Sequence, residues 1–195
     1  DTDETVTELK TLTGTTHAYT IVIAAGDATS SSADDLNTIN EKTTAAINAS
    51  AITALTSDTI DNIKTLLTAG NDTDQFTDTS FASLTGVTVS DETLDGSKLA
   101  DAIDQANSAT GDTSVVFTIS AANTIEGSEA NFTALLTDDG NNQIDIDDQD
   151  ISVSGTISVD NANLLDTATT GTITASIDTD ETVTELKTLT GTTHA

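Results

Sequence analysis

The side chains best equipped for chemistry in this sequence are its carboxylates, and they crowd into two places. Asp138-Asp139-Gly140-Asn141-Asn142 is followed by Asp145, Asp147, Asp148 and Asp150, and Asn71, Asp72, Asp74 and Asp78 form a second group. Runs this rich in oxygen suit a hard cation, because calcium takes several carboxylate and carbonyl ligands. In an extended segment Asp145 and Asp147 share a face, whereas the consecutive Asp147 and Asp148 point to opposite sides. The candidate calcium ligands are therefore Asp138, Asp139, Asp145, Asp147 and Asp150 in one group, and Asp72, Asp74 and Asp78 in the other. Neither group has the acidic, glycine and glutamate spacing of an EF-hand or the nonapeptide pattern of calcium-binding β-helices. The competing reading is that both are solvated turns and helix caps.

Other chemistry finds little material. The histidines are His17 and His194, and there is no Cys, so a transition-metal site lacks its preferred ligands. No GxSxG elbow occurs, and Gly96-Ser97-Lys98 has the wrong order for a phosphate loop. Paired carboxylates could serve a glycosidase, but 33 acidic residues make such pairs inevitable. Only Tyr19, Phe76, Phe81, Phe117 and Phe132 could offer a sugar an aromatic platform. No enzymatic role is expected.

Charge narrows the partners. Against the 33 acidic residues stand 5 lysines and no Arg, for a formal charge of −28 over 195 residues. Such a surface repels phosphates, so nucleic acid is not an expected partner. No apolar run reaches the ~18 residues of a membrane span and no basic amphipathic stretch invites a lipid surface, so membrane insertion is not expected either. High charge with few aromatics warns of disorder, yet 35% of the residues are apolar and regularly spaced. Val, Ile and Leu are expected to supply the core, with 42 Thr favouring strands. Self-repulsion at this charge favours an environment rich in salt or divalent cations. Without any Met, the chain reads as a piece or a processed product of a longer protein.

The elements that must position these groups come in repeats. Residues 1–18 and 178–195 both read DTDETVTELKTLTGTTHA, an offset of 177. We read 1–177 as one period of a tandem array and 178–195 as the start of the next, with Tyr-Thr-Ile-Val-Ile expected to follow as at 19–23. Within the period, ETVTELKTLTG, DTIDNIKTLLTAG and SEANFTALLTDDG are degenerate copies, marked by Leu12, Leu67 and Leu136 and averaging 59 residues. Both acidic groups follow this mark, and the third copy carries Thr15, Thr16 and His17 there.

Each unit divides into two strand–helix steps. Strands are expected at 20–24, 51–55, 86–90, 115–120, 156–160 and 172–177. Ser57, Ser90, Asp91, Asp160, Asp178 and Asp180 stand where helix caps are wanted, and Gly70, Gly111, Gly140 and Gly171 where helices should stop. Steps of ~30 residues suit right-handed crossovers between parallel strands. The expected fold is α/β: repeated strand–helix units on a largely parallel sheet, stacked as a solenoid or elongated rod, with closed domains strung as beads as the alternative. The alternation QIDIDDQDISVSGTISV at 143–159 could add a β-hairpin.

Segments such as SDTIDNIKTLLTAG and DGSKLADAIDQANSATG, set between Thr-rich strands, give the chain a resemblance to the tandem repeats of giant Asp/Thr-rich cell-surface proteins of marine cyanobacteria. The resemblance implies an extracellular structural, adhesive or sheath-forming role, commonly with calcium, and transfers no catalytic residue. The expected function is that of a structural repeat module of a filament, sheath or surface coat. A calcium-dependent adhesive repeat of a giant adhesin is the alternative. Expected partners are neighbouring copies of the repeat, with lateral self-association a further option.

Overall fold

The computed structural model describes residues 4–14, 17–111, 114–119 and 124–191. Seven α-helices occur among them: α1 (Val6–Leu9), α2 (Ala33–Asn40), α3 (Ile60–Gly70), α4 (Gly96–Thr110), α5 (Glu129–Gly140), α6 (Val159–Ala168) and α7 (Val183–Leu186). Each is opened by a Ser, Thr or Asp whose side chain accepts a backbone N–H of the first turn: Thr5, Ser32, Thr59, Asp95, Ser128, Ser158 and Thr182. Such caps satisfy donors that have no partner within the helix.

The strands are β1 (Ala54–Asp58), β2 (Gly86–Val89), β3 (Thr93–Asp95), β4 (Val116–Ile119), β5 (Thr124–Gly127), β6 (Asp150–Ile157) and β7 (Ile173–Ile177). They form two sheets, β1-β2-β4 and β3-β5-β6-β7, and every strand pair is parallel. In the first, Gly86 pairs with Ala54 on one side and Val116 on the other. In the second, Thr124 pairs with Thr93 and Asp150, and Ile151 with Ile173. Consecutive helices pack on one another, α1 on α2 and onward to α5 on α6. The α/β class and the parallel pairing are as expected.

Several details differ. The segment 20–24 contributes only the isolated parallel bridge Val22↔Asn48. The short strands β3 and β5 are additional, and β3 displaces the expected cap: α4 opens at Asp95 rather than at Ser90 or Asp91. Likewise the caps are Thr59, Ser158 and Thr182 rather than Ser57, Asp160, Asp178 or Asp180. No hairpin forms at 143–159. Residues 143–149 turn, and β6 is one strand lying parallel to both β5 and β7. The polar break in the alternation falls within β6: Gly155 takes φ +85°, and the pairing with β7 shifts between Ser152 and Thr156. This behaves as a bulge inside one strand, not a chain reversal.

One continuous core runs from Val6 to Ile173. Ile, Leu and Val dominate it, but all four Phe residues are also fully buried, so aromatics contribute more to the core than their number implied. The Phe76 and Phe81 rings pack in a tilted pair, 5.2 Å between centroids and inclined at 53°. Amide side chains link successive helical layers: Asn40 to Gln75 at 2.8 Å, Asn71 to Gln105 at 2.8 Å, and Gln143 to Asn107 at 2.6 Å. Paired amides fit here because each offers both donor and acceptor, so a polar contact between layers leaves little unsatisfied.

Candidate metal centre

The carboxylates separate by role once placed on this frame. Asp139 is the penultimate residue of α5, and Asp145 and Asp147 lie in the turn that leads to β6. One carboxylate oxygen from each of the three lies within 4.8 Å of the others. The turn is shaped locally: Asp145 Oδ1 accepts the Asp147 N–H at 3.0 Å, and Asn142 adopts φ +59° just after the helix. Asp145 and Asp147 therefore do converge, by an Asx turn rather than by sharing a strand face. Buried Ile144 and Ile146 alternate with them and pin the loop to the core.

Asp139 is half-buried, and its Oδ1 accepts the Ile146 N–H at 3.4 Å. Burial raises its pKa above the usual carboxylate range; the Ile146 bond opposes this, and the charges of Asp147 and Asp145 add to the rise. Three converging carboxylates, one reluctant to ionise, are the arrangement a divalent cation would relieve. These residues line an open cleft of about 620 Å³ with Phe117, Asn142 and Gln149. Asn142 and Gln149 were not among the expected ligands. The Gln149 Oε1 is buried without a hydrogen-bond partner, and its place two residues beyond Asp147 is the only sequence signal for it.

The remaining candidates do other things. Asp138 is half-buried and its pKa is pushed up to about 6, first by burial and then by the Asp104 charge. Asp150 accepts the Thr172 N–H at 2.7 Å, tying β6 to the start of β7. Asp72 accepts from the Gln75 side chain at 2.8 Å and the Asp74 N–H at 3.0 Å, and these bonds lower its pKa. Asp72, Asp74 and Asp78 are exposed, and among the described residues the one converging group of three is Asp139, Asp145 and Asp147. Asn71, beside the second group, donates to the Leu67 carbonyl and to Gln105. His17 is exposed, with its ring 5.4 Å from that of Tyr19; Thr15, Thr16 and His194 lie outside the described residues.

A structural use of acid was not foreseen. The first backbone N–H of a helix repeatedly donates to a carboxylate further along the chain: Val6 to Asp27 at 3.1 Å, Ile60 to Asp91 at 2.7 Å and Val159 to Glu181 at 3.0 Å. Asp34, also in a first turn, donates to Asp58 at 2.6 Å. Negative charge is favoured at that end of a helix, so these acids fasten one layer to the next. Glu129 runs the other way, accepting from Asn161 and from the Ser158 N–H and hydroxyl, and these bonds hold its pKa low.

The raised pKa of Asp138 gives a pH prediction. The folded state holds this proton more tightly than the unfolded chain, so its contribution is intact below about pH 4 and is lost as pH rises toward about 6. Asp138→Asn cannot ionise. It is expected to raise stability above pH 6, by on the order of 1 kcal/mol after solvent screening, with the gain fading toward pH 4. Thermal melts of both proteins across pH 4–8 check this; an equal gain at every pH contradicts the assignment.

No protein-family model matches the chain, and comparisons with curated proteins and with solved structures gave no match. Among the described residues no helix is long and apolar enough to cross a membrane.

Proposed function

We propose that this chain is a structural repeat module of a long extracellular or cell-surface protein, in which successive periods stack end to end as a solenoid or rod. Its work is mechanical, as in a filament, sheath or surface coat, and it has no catalytic role. The single observation that carries this reading is the fate of one sequence in two places. At 4–10 and at 181–187 the same residues form the same short helix with the same Thr–Glu capping box. In the first copy Val6 and Leu9 are 4% and 8% exposed, beneath the layer that follows; in the second Val183 and Leu186 are 69% and 41% exposed. A sequence whose apolar face is covered by the next layer in one copy has a use for such a layer in the other. The consecutive helix packing and the acidic and amide links between layers also favour continuous stacking over beads.

The test is a chain of two periods, in which residues 19–177 are repeated after Ala195. Small-angle scattering should give one rod of about twice the length, and separately tumbling units would overturn the reading. In that chain Leu186→Ala should cost as much as Leu9→Ala. In the 195-residue protein only Leu9→Ala should cost appreciably, by ~2 kcal/mol or more.

A second reading, the calcium-dependent adhesive repeat, is favoured by the convergence of Asp139, Asp145 and Asp147. On that reading calcium raises Tm beyond sodium at equal ionic strength, since a ligand at a hundredfold excess over its Kd stabilises by roughly 2.7 kcal/mol. Asp145→Asn with Asp147→Asn should abolish the calcium-specific part. Identical melts in the two salts would leave these carboxylates a role in solubility alone.

A further inference from the structure

We infer that a second copy of this protein docks on the exposed face of residues 178–191 by segment exchange: the 178–191 segment of one molecule takes the place of residues 1–14 on the next. The inference rests on the stacking reading but concerns separate molecules. The seat already exists within the chain. Residues 4–14 lie against α2, Val6 and Leu9 join the core that holds Ile21, Ile23, Leu36 and Ile39, the Val6 N–H donates to Asp27, and Lys10 pairs with Asp35. Residues 181–191 carry the same side chains as 4–14, and Val183–Leu186 forms the same short helix as Val6–Leu9. They therefore fit the same seat, with Val183, Leu186 and Lys187 standing for Val6, Leu9 and Lys10.

The incoming segment is already ordered on its own molecule. Asn163 donates to the Thr188 carbonyl at 3.1 Å and accepts the Thr190 N–H at 2.8 Å, and Glu181 accepts the Val159 N–H. Yet Val183, Leu186 and Leu189 remain exposed, and neither the Val183 N–H nor the Lys187 ammonium has a partner among the described residues. After exchange this segment is packed on both sides, by its own α6 and by the recipient's α2. Residues 4–14, whose short helix α1 packs on α2, are released. The contact joins unlike ends of two molecules, so it does not close on itself and propagates as an open head-to-tail chain. Within one molecule residues 4–14 hold the seat through tethering, which supplies a high effective concentration. Repulsion between two chains of charge −28 further opposes docking until salt screens it.

The experiment weakens the resident segment and leaves the incoming one intact. In Val6→Asp/Leu9→Asp full-length protein, at about 0.5 M salt, sedimentation should show mass rising with concentration through successive multiples of the monomer. Association should be about tenfold or more tighter than in the unaltered chain. Adding Val183→Asp/Leu186→Asp should return it to monomer. A peptide of sequence DTDETVTELKTLTGTTHA should do the same by filling the vacated seat. Circular dichroism establishes that each variant is folded. As a measurement that needs no destabilised variant, full-length Lys187→Cys and Asp35→Cys proteins, which carry no other Cys, are mixed and treated with a short bis-maleimide. Cross-linked heterodimers that vanish with Val183→Asp/Leu186→Asp are expected. A folded Val6→Asp/Leu9→Asp monomer at all concentrations, polymers that survive Val183→Asp/Leu186→Asp, or the absence of cross-linked heterodimers overturns the inference. A two-period chain that is rod-like beside any of those results leaves stacking within a chain intact and removes only exchange between molecules.

Discussion

Leu66→Ala is expected to destabilise the protein by about 2–5 kcal/mol, lowering Tm by roughly 5–15 °C for a chain of this size. Leu66 is fully buried on α3, which packs against α2 on one side and α4 on the other. Truncation removes apolar contacts within the core and opens a cavity that flanking helices, pinned by their own caps and by the Asn71–Gln105 link, are poorly able to collapse. Leu164→Ala is the control, because Leu164 is 54% exposed and its loss should fall within about 0.5 kcal/mol of zero. Melting curves for the two variants decide the matter. Near-equal costs would mean that α3 is not the packed centre of the helical layer.

That α3 is central was legible in the sequence. Ile60, Ile63, Leu66 and Leu67 recur at helical spacing, and all four are buried. The parallel pairing was legible too, because steps of strand then helix leave little choice of connection. Positions of caps were less so. With Ser, Thr and Asp almost everywhere, several residues near each helix start have a side chain able to cap. Which one does so depends on where the preceding strand ends: β3 occupies 93–95, so Asp95 caps α4 while Asp91 is left to accept the Ile60 N–H. That bond joins residues far apart in the chain, and no local pattern announces it.

The carboxylate cluster was legible in composition but not in geometry. Asp145 and Asp147 were paired for the right spacing, on the assumption of a strand. The actual segment is a turn, which also recruits Asp139 from the end of α5 and leaves Asp138 and Asp150 outside. A strand alternation and an Asx turn both place residues i and i+2 near one another, so the spacing alone does not distinguish them. The same ambiguity produced the expected hairpin: alternation continued through 143–159, whereas the turn ends only at Asp150, where β6 begins.

Gly171→Ala is expected to be the most damaging small substitution in the turn-and-strand region. A Cβ on Gly171 would lie 2.2 Å from the Gln149 carbonyl oxygen and 2.8 Å from the Asp150 nitrogen. These are backbone atoms, so no side-chain rotation relieves the clash and one chain must move. The crossing is already fastened on both sides: Thr169 Oγ1 donates to the Gln149 carbonyl at 2.6 Å, Asp150 accepts the Thr172 N–H at 2.7 Å, and the Ile151 N–H donates to the Thr172 carbonyl at 2.8 Å. Moving it breaks the first rungs between β6 and β7, and the cost should reach or exceed the ~1–3 kcal/mol typical of overpacking. Gly140→Ala offers the contrast, since nothing lies within 4 Å of its Cβ position at the end of α5. It should be neutral or stabilise by ~0.4–1 kcal/mol through the unfolded chain. The clash also bears on the carboxylates. Thr169 and Thr170 hold the Asp147 carbonyl, so a displaced crossing carries Asp147 away from Asp139 and Asp145. Gly171→Ala should therefore lose stability in sodium and, if the three carboxylates hold calcium, lose the extra stabilisation by calcium as well. Gly140→Ala should keep that response. Thermal melts of both variants in matched sodium and calcium separate the two effects, and a Gly171→Ala protein as stable as the unaltered chain would show that the close crossing of 149–150 and 171 is misplaced.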